Sequence, residues 1–331
     1  MADSRSATLA LTRALLWAEF PSSESEWRTT AEAARCFGVL EGFRARAGAA
    51  LGDAPQDVRA LLDDARAEAA MGAALSLRCA AAVCAATSEA VVVKGGALLA
   101  TGVIAPGDRY ATDVDILTTH AGAAATTRAL ADYGLRLVPS IRHDGRTRSS
   151  VEWPGGIWRS DDGVVVDFHV VARLPRETLL TDSELGAIRT PTMMATAIGL
   201  CRHVEQHHLD ARHALLRHAL DLDALRNRMG AAQWNIAVRD RHVRRSLAAV
   251  ERLALAARRG DFEAVGAQLS GGRHASVALR LHHAARRAFQ FAIHERALLP
   301  WLLFPHPRYL KASRHAAQPL AKAYAQRLFG R

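Results

Sequence analysis

Two aspartates one residue apart, Asp113 and Asp115, stand in the alternating run Thr112-Asp113-Val114-Asp115-Ile116-Leu117. On a strand, residues i and i+2 share a face. Both carboxylates then project together, while Val114 and Ile116 turn toward a core. Close carboxylates repel one another unless a cation lies between them. Hard divalent ions such as Mg²⁺ take oxygen ligands and keep positions open for phosphate. Asp167 is centred in the apolar run Val164-Val165-Val166-Asp167-Phe168-His169-Val170-Val171. A buried, unpaired carboxylate is costly, so Asp167 calls for a shared metal or a salt bridge to an arginine such as Arg173 or Arg159. His169, two residues on, shares its face. A third stretch, 91–99, reads as a strand, a glycine turn and a helix start. Gly95 and Gly96 would let the backbone approach a ligand, helix-start N–H groups favour anions, and Lys94 adds positive charge at the same end. The spacing is not that of a P-loop. Each feature alone has a plainer reading, as a surface turn or a simple strand-to-helix connection.

The elements that must position these residues fall in three stretches. Residues 1–87 read as helical, broken at Pro21-Ser22-Ser23 and at Gly52-Asp53-Ala54-Pro55. A long helix follows Pro55, with Val58, Leu61, Leu62 and Ala65 on one stripe, because proline suits a helix start. Residues 88–175 alone are rich in strand signals. Strands are expected at 90–93, 112–117, 135–138 and 164–171, and a helix at 123–133 stopped by Gly134. A hairpin is expected around Pro154-Gly155, with arms 147–153 and 156–159. Residues 176–331 return to helices, at 193–209, 211–229, 239–259, 262–269 and 275–297. The expected class is α+β, a small mixed sheet flanked by N-terminal and C-terminal helical regions.

Taken together, the glycine pair, the D-x-D on a following strand and a single aspartate on a later strand resemble the nucleotidyltransferase superfamily of polymerase-β-like fold. Within it, the chain is similar to a bacterial family of uncharacterised nucleotidyltransferases whose pattern begins with a Lys-Gly pair. The matching stretches are Val-Val-Lys-Gly-Gly-Ala-Leu-Leu at 92–99, Arg109, Thr-Asp-Val-Asp-Ile-Leu at 112–117, Tyr133-Gly134 and Val-Asp-Phe-His at 166–169. The resemblance reaches Cys201-Arg202-His203 and Leu220-Asp221-Leu222-Asp223, and covers about 88–228. The wider superfamily has Gly-Ser where this chain has Gly95-Gly96, and the interval from Gly96 to Asp113 is longer than in its commonest members. The resemblance implies that Asp113 and Asp115 hold Mg²⁺ on a nucleoside triphosphate, and that Asp167 helps hold a second ion or acts as base. Lys94, Gly95, Gly96 and Arg109 would hold phosphates, with His169 and His203 near the nucleotide. The implied reaction transfers a nucleotidyl group to a hydroxyl of a small molecule, sugar or modified peptide, and related sequences often accompany natural-product pathways. Alternatives are a nucleotide-sugar-dependent or other group transfer, nucleotide addition to RNA, a non-catalytic nucleotide-binding regulator, or a helical interaction protein with an incidental D-x-D. The last requires that the three aspartates do not converge.

The remaining features set bounds. The chain has 331 residues, half of them hydrophobic, with a formal net charge of +10. That charge attracts anions without choosing among nucleotides, nucleic acid and anionic lipid. Arginines such as Arg258 and Arg259 read as solvated helix faces. The C-terminal basic residues, from Arg273 and Arg280 to Lys322, carry no recognised nucleic-acid motif, so nucleic acid is the less favoured partner. His203 and His207 stand four apart, but H-E-x-x-H is absent. Asp221 and Asp223 read as helix ion pairs with nearby arginines, and the family resemblance makes Asp221 a further candidate for orienting the site. The four cysteines form no C-x-x-C pair and read as buried free thiols. The apolar stretch 69–93 reads as a buried helix and strand rather than a membrane span. With no signal-peptide plan at the N-terminus, a cytoplasmic protein is expected.

Overall fold

The computed structural model describes residues 2–111, 113–138, 156–183, 185–207 and 214–269. Val138 apart, these belong to one compact unit. The first arm and the turn of the expected hairpin, the helix at 275–297 and the C-terminal basic residues lie outside them.

The N-terminal helices begin where the sequence breaks them. Helix α1 spans Ala2–Trp17 and α2 spans Glu24–Cys36. Ser23 caps α2 by accepting the Glu26 N–H at 3.3 Å, while the Glu26 carboxylate accepts the Ser22 N–H at 2.9 Å. Such reciprocal bonds satisfy donors that the first helical turn leaves unpaired. Helix α3 (Leu40–Ala47) and a 3₁₀ turn (Gly48–Asp53) lead to α4 (Gln56–Ala86), which starts after Pro55 as expected. Val58 and Leu62 are buried, but Leu61 is exposed and does not belong to the stripe. Phe20 stacks on Trp27, which packs with Phe43.

The sheet is mixed, in the order β1-β2-β5-β4-β3. Its strands are β1 (Ala90–Val93), β2 (Val114–Thr119), β3 (Arg136–Leu137), β4 (Gly156–Arg159) and β5 (Val165–Val171). Helix α5 (Lys94–Ala100) follows β1 directly, and α6 (Ala123–Asp132) ends before Gly134. β1 runs antiparallel to β2, β2 parallel to β5, and β5 antiparallel to β4. Side-chain alternation divides the two faces. Val114, Ile116, Val166 and Phe168 enter a core with α4 residues Ala73, Leu77 and Ala80, leaving Asp115, Asp167 and His169 on the opposite face.

The third stretch departs from its all-helical reading. Thr178–Ser183 (β6) and Gly186–Pro191 (β7) form an antiparallel hairpin. Ile188 and Thr190 are buried while Ala187 and Arg189 are less so, a two-residue period that favours strand. Arg189 binds back into the sheet region, its Nη1 donating to the Ala90 carbonyl at 3.3 Å. Four helices then follow: α7 (Met193–His207), α8 (Ala214–Ala237, kinked at Gly230), α9 (Arg241–Arg258) and α10 (Phe262–Leu269); α8 continues past the expected end at 229. Leu215 and Leu216 of α8, Leu253 of α9 and Val265 of α10 share a core with Leu11, Trp27 and Phe43 of the N-terminal helices. The helical stretches at the two sides of the sheet are therefore not separate folding units.

Helix α4 alone among the described residues is long and apolar enough to span a membrane by length and composition, and half of its most apolar window is buried. Its residues enter two of the three cores of the described residues. Cys79, Cys84 and Cys201 are buried free thiols, whereas Cys36 is exposed, contrary to the expectation for all four. Burial pushes the Cys79 thiol up to about 12 and the Cys201 thiol up to about 11.

Candidate metal centre and its cations

The parallel pairing of β2 with β5 sets Asp115 opposite Asp167 and Leu117 opposite His169. Asp115, Asp167 and His169 converge, each offering an atom within 4.8 Å of the others, and together they can hold a metal ion. His169 Nε2 lies 3.0 Å from Asp167 Oδ2 and 3.8 Å from Asp115 Oδ1. The shorter contact is a hydrogen bond and the longer one is electrostatic. Asp115 and Asp167 raise the His169 pKa to about 9, against the opposing effects of burial and of Lys94. Asp113 precedes β2 instead of lying on it, is half-buried, and stands outside the trio. Of the D-x-D pair, Asp115 lies on β2 and joins the trio, while Asp113 is the residue immediately before the strand.

Two cations border the trio. Lys94 Nζ forms an ion pair with Asp115 Oδ1, with 29% of the lysine side chain exposed and 7% of the aspartate. Lys94 sits at the corner between β1 and α5 with φ 54°, in the left-handed region, which few residues other than glycine adopt. The corner expected at the glycines is therefore made by the lysine, and Gly95 and Gly96 lie inside the helix. Both glycines stand against neighbouring side chains that an added Cβ would displace. A Cβ on Gly95 would overlap the Arg109 guanidinium, with Cζ 2.8 Å away, and one on Gly96 would stand 2.8 Å from Val92 Cγ1.

Arg109 is held by Asp221 of α8, a residue 112 positions away. Arg109 Nε donates to Oδ1 at 2.8 Å and Nη2 to Oδ2 at 3.2 Å. Burial works against the charged guanidinium. Asp221, with Asp113 and Asp115 acting at longer range, outweighs it and holds the arginine pKa above its ordinary value. Asp221 is buried at 3% exposure. Its partner is a loop arginine, not the helix arginines that the sequence suggested. Asp221 carries no local signal of this role, since nothing near it in the chain identifies Arg109.

The same polar cluster extends to the N-terminal helices, which sequence reasoning missed. A small cavity beside Arg109 and Asp221 is lined by Glu41, Tyr110 and Arg217. Burial raises the Glu41 carboxyl pKa. Burial, reinforced by Arg109, lowers that of Arg217, whose Nη2 donates to the Gly38 carbonyl at 2.9 Å. His203 lies half-buried on α7, outside the trio. Of the residues read from sequence, the fold thus gathers Asp115, Asp167 and His169 into one group, with Lys94 paired to Asp115. Gly95 and Arg109 pack beside them, and Asp113 lies within electrostatic range of Arg109.

The chain matches no family model, no curated protein and no solved structure.

Proposed function

We propose that this protein is a divalent-metal-dependent nucleotidyltransferase acting on a hydroxyl of a small molecule, sugar or modified peptide. The observation that carries the reading is the register placing Asp115 opposite Asp167 on the face of the sheet turned away from α4, with Lys94 and Arg109 beside them. The donor set fits a hard divalent ion. Two carboxylates supply oxygen ligands suited to Mg²⁺ or Mn²⁺, and His169 orients Asp167 through its hydrogen bond.

A bound divalent ion would neutralise charge on the phosphates during transfer. The protein's own groups supply the rest. Arg109, fixed by Asp221, and Lys94 offer positive charge to a polyphosphate, and Asp113 adds a carboxylate beside the trio. The acceptor oxygen forms a bond to the α-phosphorus as the bond from that phosphorus to the bridging oxygen breaks, and pyrophosphate leaves. The hydroxyl proton passes to Asp167, which is 23% exposed and faces the same side as the trio.

The test is binding of each nucleoside triphosphate with and without Mg²⁺, beside an Asp115→Asn, Asp167→Asn double variant. The expected result is Mg²⁺-dependent binding by the wild type that falls at least about tenfold in the variant, a loss of ~1.4 kcal/mol. Pyrophosphate release would then report on candidate acceptors. Metal-independent binding, or equal binding by a folded variant, rules the reading out.

A further inference from the structure

The geometry gives Asp115 two competing occupants. It is one of the three residues that can hold a metal ion, yet its Oδ1 already carries the Lys94 ammonium. A cation on that oxygen both occupies an electron pair and repels a second cation. The two neighbouring cations are held differently. Arg109 makes two hydrogen bonds to Asp221, and its guanidinium lies against Gly95, where a Cβ would overlap it. It is fixed. Lys94 has a rigidly placed backbone at the corner of β1 and α5, but its flexible side chain is more exposed and reaches the site through one ion pair. It is exchangeable.

We infer that Lys94 is a built-in competitor for the divalent ion, pairing with Asp115 in the metal-free protein and passing to a polyphosphate when the ion binds. The inference rests on the metal reading given above and adds a consequence to it. Bare metal must displace the lysine from Asp115, the carboxylate it pairs with. Metal accompanied by a diphosphate or triphosphate gives the freed ammonium an anion. Ion and polyphosphate therefore bind with positive coupling, and by linkage each strengthens the other. A lysine that only anchors phosphate, or only shapes the corner, would not weaken bare-metal binding.

The test uses Mn²⁺ alone, read by the loss of its free-ion electron paramagnetic resonance signal, on the full chain and on Lys94→Met and Lys94→Gly. Glycine adopts the left-handed backbone at position 94 without strain, so it serves if the methionine variant does not fold. Both variants are expected to bind Mn²⁺ about tenfold more tightly than the wild type, the scale of a partly desolvated charge pair. In Mn²⁺-saturated protein, calorimetry with inorganic tripolyphosphate is expected to show the reverse order, the wild type binding about tenfold more tightly. Unchanged or weaker Mn²⁺ binding by folded lysine variants overturns the inference. If Asp115→Asn, Asp167→Asn abolishes Mn²⁺ binding in that case, the metal centre stands and only the lysine role falls. Absence of Mn²⁺ binding in the wild type and both lysine variants removes the metal centre, and this inference with it.

Discussion

His169 faces two carboxylates with its Nε2 and opposes Lys94 across Asp115, so its protonation is tied to the folded state. Its folded pKa of about 9 lies above the ordinary 6.5. A group raised in this way contributes stability that is fully present below pH 6.5 and is lost as pH rises through about 9. In metal-free protein, the wild type should therefore lose more thermal stability between pH 6.5 and 9 than His169→Gln. Melting curves in the presence of a chelator measure this. Parallel pH profiles for the two proteins would show that the imidazole does not titrate in this window.

At the level of elements, α5 leaves room for the Arg109 guanidinium where Gly95 lacks a side chain. Gly95 leaves space that the Arg109 guanidinium fills, and Asp221 of α8 fixes that guanidinium from the other side. Gly95→Ala should cost about 1–3 kcal/mol through overpacking. Asp221→Ala should cost ~3 kcal/mol, because it strands a buried arginine charge. Both changes unseat the same side chain, so the double variant should lose less than the sum of the two. Urea denaturation of the four proteins gives the coupling directly. Strict additivity would mean that Gly95 and Asp221 act on the fold independently.

Over the whole molecule, the sheet cannot be separated from its helices. Val114, Ile116, Val166 and Phe168 bury their side chains against α4, which lies in the first compositional stretch. The remaining N-terminal helices share their core with α8, α9 and α10. A fragment of residues 88–175 exposes the sheet's apolar face and removes Asp221 from Arg109. It should show no cooperative thermal transition by circular dichroism, whereas residues 1–274 keep the three cores of the described residues and should unfold cooperatively. A sharp transition in the short fragment would show that the sheet is an autonomous domain.

The sequence by itself determined the local periodicities. Alternation around Asp115 and Asp167 put both carboxylates opposite the apolar residues of their strands, and the helices from 193 to 269 were legible to within a few residues, except that the helical turns beyond the Gly230 kink, to Ala237, were not read. Proline and serine signals located the starts of α2 and α4. The β6–β7 hairpin was missed because its exposed arm, with Leu179 and Leu180 both turned outward, lacks a clean apolar alternation. Only the tertiary structure decided which strands lie side by side. The parallel register of β2 and β5 brings Asp115 beside Asp167, and with His169 they make the trio. The Lys94 bond to Asp115 and the Arg109 bond to Asp221 were likewise settled by the fold. Side-chain alternation follows from the geometry of each strand's own backbone. Pairing between residues 52 or 112 positions apart depends on how every intervening element packs, and no local pattern encodes that.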